Sequence, residues 1–166
     1  MKTKKRFGQH LLKDPDDARR IALALPVAQE SILEIGPGAG ALTAALLDSH
    51  PQAVVTAVEF DRDMVALLER RFKDEPRLRV VQGDILTYDP APHGTELTVA
   101  GNLPYNISAP VLDWTVKNCK VIARALFMLQ REVADRLASE PGSKDWSPLA
   151  IMTQLSYEIK SEFTLG

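Results

Sequence analysis

The chain has 166 residues, 45% hydrophobic and 25% charged, with a formal net charge of −2. That length and balance suit one folded domain with its own core and argue against a mainly disordered chain. No apolar run approaches the roughly 18 residues of a membrane-spanning helix. The basic start Met1–Arg6 lacks the apolar continuation of a signal peptide, and the single cysteine, Cys119, can neither close an internal disulfide nor build a metal site alone. A cytoplasmic, metal-free, single-domain protein is expected.

In chain order, residues 1–13 carry five bases (Lys2, Lys4, Lys5, Arg6 and Lys13) and no acid. Such an arm is either a phosphate-binding segment or a solvated tail, and charge alone leaves both open. A helix follows: Asp14 suits its cap, Pro15 its first position, Asp16 and Asp17 its positive end, and Pro26 its stop. Strand-like apolar runs then occur at Ser31–Ile35, Ala53–Phe60, Leu78–Gln82, Leu97–Gly101 and Ala125–Gln130. Between them lie helical patterns at Ala41–Ser49, Arg62–Lys73, Ala109–Asn118 and Arg131–Ser139. Ser108 with Pro110, and Ser147 with Pro148, mark helix starts; the chain closes with a predicted helix (Ser147–Ser156) and strand (Tyr157–Leu165). Neither repeats nor low-complexity tracts interrupt the alternation. It predicts an α/β fold, a doubly wound, mostly parallel sheet covered on both faces.

The loop Glu34-Ile35-Gly36-Pro37-Gly38-Ala39-Gly40 joins the first strand to a helix. Its glycines Gly36, Gly38 and Gly40 permit a sharp turn and close approach of a ligand. Gly36, Gly38 and Ala41 also satisfy a loose dinucleotide pattern, so a nicotinamide oxidoreductase stays open, as does a tight turn with no ligand. Glu59, ending the second strand, is placed to accept hydrogen bonds from two ribose hydroxyls. Asp84, after the third, is placed to accept from an amine such as that of adenine. Either acid taken alone reads equally as a cap or a surface charge. Together with the glycine loop they describe a nucleoside pocket across the top of the sheet.

After the fourth strand comes Gly101-Asn102-Leu103-Pro104-Tyr105-Asn106-Ile107-Ser108. Here the chain resembles the S-adenosylmethionine-dependent adenine dimethyltransferases of ribosomal RNA. Asn102–Tyr105 is similar to that family's amine-methylating signature, and Phe7-Gly8-Gln9-His10-Leu11-Leu12 to its N-terminal motif. Phe127–Leu137 resembles a third block, which favours the small-subunit (kasugamycin-sensitivity) branch over the erythromycin-resistance enzymes acting on large-subunit RNA. The residues have a reading of their own beside that resemblance. An aryl amine is a poor nucleophile because its lone pair is delocalised into the ring. The Asn102 side-chain oxygen and the Leu103 carbonyl can accept its two N–H hydrogens, Pro104 stiffens the turn, and Tyr105 offers a face for a flipped-out adenine. Such stacking is worth about 1–3 kcal/mol. A sulfonium donor is already activated, so alignment rather than a strong base carries the catalysis.

The resemblance implies a Rossmann-like class I methyltransferase that uses S-adenosylmethionine. It implies that His10 and Leu12 line the cofactor pocket with Gly36, Glu59, Asp84 and Asn102, and that Phe7 and Gln9 belong to a lid. Lys4, Lys5, Arg6 and Lys13 then become phosphate contacts. The substrate implied is two adjacent adenosines near the 3′ end of small-subunit ribosomal RNA, each dimethylated during ribosome biogenesis by a monomer. The expected division is a basic arm over 1–13 and a cofactor-binding methyltransferase domain over 14–166. Members of the family continue with a proline-rich aromatic segment, a last hairpin strand and a small helical RNA-gripping domain, so the chain is expected to be the catalytic portion of a longer enzyme. A resistance-type enzyme or a non-catalytic ribosome-assembly factor are the rival readings. His50 and His93 read as loop residues, and Cys119 as a small apolar residue near a helix end.

Overall fold

A computed structural model describes residue 12, residues 14–26 and residues 30–165. Helix α1 (Pro15–Leu23) starts as its sequence dictates: the Asp14 carboxylate accepts from the Asp16 N–H at 2.9 Å and Pro15 occupies the first turn. Ala18, Ile21 and Ala22, spaced to share one helix face, are buried in the core that α1 makes with α2 (Ala41–Ser49). Five strands follow the βα alternation: β1 (Ser31–Ile35), β2 (Val54–Glu59), β3 (Leu78–Gln82), β4 (Leu97–Asn102) and β5 (Ile122–Met128). All pair in parallel in the order β3-β2-β1-β4-β5. The remaining helices are α3 (Arg62–Arg71), α4 (Ser108–Lys117), α5 (Arg131–Leu137) and α6 (Pro148–Ser156).

The three central strands are buried on both faces, which is why they read as continuous apolar runs. Successive side chains alternate between two cores. Ile32, Val55 and Ala100 pack with α1 and α2, whereas Leu33, Val58 and Val99 pack with Val111 and Trp114 of α4. Each such aliphatic side chain contributes about 1.5–3 kcal/mol of burial. The sheet order reverses between β1 and β4, and open α/β sheets bind ligands beyond the carboxyl ends of the strands at that switch. The registers Ile35↔Gly101, Ile35↔Val58, Glu59↔Gln82 and Asn102↔Met128 bring those ends level.

Several expectations need correction. Strand β5 begins at Ile122, not Ala125, because this edge strand exposes Ala123, Arg124 and Ala125 and so carries no apolar run at its start. Helix α3 stops at Arg71 rather than Lys73, and α4 starts one residue earlier than Ala109. Ser108, which marks the helix start in the sequence, is its first residue, and its hydroxyl donates to the Pro104 carbonyl at 3.0 Å. The segment Tyr157–Leu165 is not a strand. Side chains hold it instead of a ladder. Tyr157 Oη donates to the Thr115 and Ile122 carbonyls at 3.2 and 3.0 Å, and Phe163 lies 4.3 Å beneath the Arg20 guanidinium. A groove lined by Leu126, Met128 and Phe163 runs between this segment and β5, so its backbone finds no parallel or antiparallel partner. His50 lies just past α2 as its C-cap and is fully buried, its Nδ1 3.2 Å from the Leu46 carbonyl. Cys119 is exposed rather than packed.

Candidate active site

The glycine loop leaves β1 at Ile35 and enters α2 at Ala41. Gly36, Gly38 and Gly40 all take positive φ (61°, 56° and 83°), so the loop is built from left-handed turns. Gly40 is required for a second reason. A Cβ there would lie 2.7 Å from Phe72 Cε2 and 2.8 Å from Leu68 Cδ2, so the end of α3 packs directly on the loop. The loop is fixed to β2 through two N–H groups: Gly36 donates to the Val58 carbonyl at 2.9 Å and Gly38 to Glu59 Oε2 at 3.0 Å.

Glu59 is buried at the end of β2, and its Oε1 accepts from the Asp61 N–H at 2.9 Å. A carboxylate has about four lone-pair sites, so two remain on Glu59 for a ligand. Asp84 is exposed, caps the 3₁₀ turn Ile85–Thr87 through Oδ1 (2.9 Å from the Leu86 N–H) and still presents Oδ2. The cap reading and the pocket reading of Asp84 therefore coexist. A cleft joins these groups: Gly36, Glu59, Asp84, Asn102 and Pro104 line it, with Phe60, Ile85 and Leu86 as apolar walls. Phe60 is 64% exposed on the cleft wall.

The Asn102–Ser108 loop is stiff without strain. The Leu103 N–H donates to the Met128 carbonyl at 3.1 Å, extending the β4–β5 ladder past Asn102. Pro104 has φ −63° and ψ 147°, and its carbonyl accepts from the Ile107 N–H at 3.1 Å as well as from the Ser108 hydroxyl. Leu103 itself is buried in the α4 core, and Tyr105 stands 62% exposed between Pro104 and Asn106; neither lines the cleft that those two neighbours line.

Of the residues singled out in the sequence, Gly36, Glu59, Asp84, Asn102 and Pro104 converge on one cleft. Gly38 and Gly40 shape the loop rather than line that cleft. Leu12 packs partly buried against the α1–α2 core. Lys4, Lys5, Arg6, Phe7, Gln9, His10 and Lys13 lie outside the described residues. Sequence reasoning passed over Glu34, which is wholly buried with Thr43 Oγ1 donating to its Oε2 at 2.6 Å. Burial pushes its carboxyl up to about 8, opposed by the Thr43 hydrogen bond and reinforced by the negative Glu59 nearby. A lone acid inside the apolar run Ser31–Ile35 was the available signal. His93, assigned nothing from sequence, closes the turn after Asp84 by a 2.8 Å contact between its Nε2 and Tyr88 Oη.

An open parallel sheet with a glycine loop after β1, acids after β2 and β3 and a polar-proline loop after β4 defines a nucleoside-binding domain of Rossmann-like methyltransferase type. Solved structures agree: the chain is similar to a dimethyladenosine transferase from Plasmodium falciparum (TM-score 0.73, 29% identity, 88% of this chain and 52% of that one). It is likewise similar to the 23S rRNA methyltransferase ErmE (TM-score 0.71, 30% identity, 86% of this chain and 56% of that one). Residues 1–161 match the ribosomal RNA adenine dimethylase family, and the chain belongs to it. Ribosomal RNA small subunit methyltransferase A of Bordetella pertussis is 46% identical over 164 residues, spanning 98% of this chain and 61% of that protein. Its counterpart in Pseudomonas aeruginosa is 42% identical over 169 residues, 99% of this chain and 62% of that protein. The chain thus spans about three-fifths of the length of the curated relatives it matches.

Proposed function

We propose that the cleft binds S-adenosylmethionine and that the protein dimethylates the exocyclic amines of two adjacent adenosines near the 3′ end of small-subunit ribosomal RNA, in the cytoplasm, during ribosome biogenesis. The observation that carries this reading is the shared cleft: Asn102 and Pro104 line the same cavity as Glu59 and Asp84. Family membership and the names of the relatives support the substrate, and a structure similar at 25% identity (TM-score 0.55, 66% of this chain and 47% of that one), the N-terminal domain of EvdMO1, was solved with S-adenosylhomocysteine bound.

The residues fit the cofactor. Glu59 keeps two acceptor sites for ribose hydroxyls, Asp84 Oδ2 suits the adenine amine, and Phe60, Ile85 and Leu86 supply flat apolar contact. When bound, the cofactor supplies a methyl group on a sulfonium, a strong electrophile. The chain's part is alignment. The Asn102 side-chain oxygen and the Leu103 carbonyl accept the two amine hydrogens and draw the nitrogen lone pair out of conjugation. The Leu103 N–H bond to the Met128 carbonyl fixes the Asn102–Leu103 peptide, and Pro104 stiffens the next one, to which the Leu103 carbonyl belongs. Tyr105, exposed beside Pro104, takes the face of the extruded base; His10 completes the cofactor pocket, with Leu12, packed on the α1–α2 core, behind it, and the bases Lys4, Lys5, Arg6 and Lys13 make the phosphate contacts.

Methyl transfer from labelled cofactor to unmethylated small ribosomal subunits tests the proposal, comparing this chain with a version extended to the relatives' length. Dimethyladenosine at two adjacent positions of small-subunit RNA is expected with the extended version. The likeness to ErmE supports a second reading, a large-subunit enzyme; mapping the modified nucleotide to large-subunit RNA would select it. Binding of NAD but not S-adenosylhomocysteine would reject both.

A further inference from the structure

We propose that Arg71, an exposed residue at the last position of α3, is a positioning residue for cofactor binding, acting through the carbonyl of Ala39. The proposal rests on the cofactor reading above. The glycine loop holds three left-handed glycines within five residues, the composition that loses most backbone entropy on ordering. It therefore needs external restraints. Two of them grip N–H groups and come from β2: Gly36 to the Val58 carbonyl and Gly38 to the Glu59 carboxylate. The carbonyl side of the loop is gripped from elsewhere. Arg71 Nη1 donates to the Ala39 oxygen, across 32 residues of sequence.

That bond sets the peptide plane between Ala39 and Gly40, the one that leads into the N-cap of α2. Its neighbours reinforce it. The Arg71 guanidinium lies 5.1 Å from the centre of the Phe72 ring, and the same ring edge stands 2.7 Å from the position a Gly40 Cβ would take. Phe72 thus blocks the loop from collapsing onto α3 while Arg71 keeps it from lifting away. The two consecutive residues act as stop and latch on a segment whose far side opens on the cleft at Gly36. Because the Arg71 side chain is exposed, removing it leaves no buried hole. Its effect on loop geometry is therefore separable from folding. A loop already ordered before the ligand arrives binds more tightly, since the ordering cost is not charged to binding.

The test is calorimetric titration of S-adenosylhomocysteine into the full chain, its R71A variant and its R71K variant, with thermal unfolding of each. A charge-assisted hydrogen bond lost from the loop should weaken binding by about five- to tenfold in R71A. The unfolding midpoint should stay within about 2 °C of the parent, as expected for an exposed position. R71K, which can still donate to the Ala39 carbonyl, should recover most of the affinity. Parental affinity in R71A overturns the proposal. So does an affinity loss that tracks a fall in the midpoint and is no smaller in R71K, because the residue would then be merely structural. Failure of the parent chain itself to bind overturns the cofactor reading, a result distinct from either.

Discussion

The Gly38 N–H and the Glu59 carboxylate meet at 3.0 Å across 21 residues of sequence, joining the loop after β1 to the end of β2. One buried acid thereby shapes the glycine loop with one oxygen and, through the lone pairs it retains, faces the cleft beside it. Loop geometry and ligand recognition share a single side chain.

Replacing Glu59 with glutamine tests that double duty. The amide has one acceptor oxygen, so either the Gly38 or the Asp61 N–H must face an NH2 group. Affinity for S-adenosylhomocysteine should fall about 10- to 100-fold, the equivalent of one or two charge-assisted hydrogen bonds. Calorimetry showing parental affinity would remove Glu59 from the site.

Glu34 makes stability depend on pH. Its carboxyl is raised to about 8 in the folded chain from an ordinary value near 4.5. Between those values the folded state holds a proton that the unfolded state has released, so this contribution to stability falls as pH rises through the window. The unfolding midpoint should decline from pH 5 to pH 8, and Glu34→Gln should flatten that slope. An equal slope in both proteins would show that Glu34 does not carry it.

Gly40→Ala should be costly although the change is one methyl group. The left-handed φ of 83° penalises a side chain by about 1–2 kcal/mol, and the new Cβ meets Phe72 and Leu68 below 3 Å. Denaturant unfolding should report a loss of at least that size. Gly94→Ala, with open space around it, should lose no packing; its φ 84° and ψ −165° carry a backbone penalty of their own, in a region essentially confined to glycine.

Asn102→Ala, made in a protein extended to the relatives' length, separates turnover from cofactor binding. We expect kcat to fall about 100-fold, the size found for removing one preorganised polar group, with the cofactor KM within about threefold. A raised cofactor KM with kcat unchanged would place Asn102 in binding alone.

Tyr157→Phe probes the segment that follows α6. Burial pushes this hydroxyl up to about 12 and it serves two carbonyls, Thr115 and Ile122. Loss of about 1–2 kcal/mol is expected from urea unfolding, since the two buried carbonyls lose their donor. An unchanged midpoint would mean that the apolar contacts of Phe163 and Leu165 hold the segment unaided.

The amino-acid order by itself determined the βα alternation, the parallel sheet and the places where polar groups emerge from it. Those features are local: Asp14 and Pro15 start a helix with no help from elsewhere, and the apolar runs of β1, β2 and β4 need only burial on both faces. The residues Gly36, Glu59, Asp84 and Asn102 were legible for the same reason, each standing at or just beyond the end of a strand. Contacts between distant segments decided the rest. The start of β5 was hidden because an exposed edge needs no apolar signal, and Tyr157–Leu165 carried strand-like residues yet lacked a ladder partner. Tertiary structure alone put Thr43 against Glu34, Arg71 on the Ala39 carbonyl and Phe72 under Gly40. Burial and long-range hydrogen bonding depend on which surfaces meet, a property no single stretch of sequence contains.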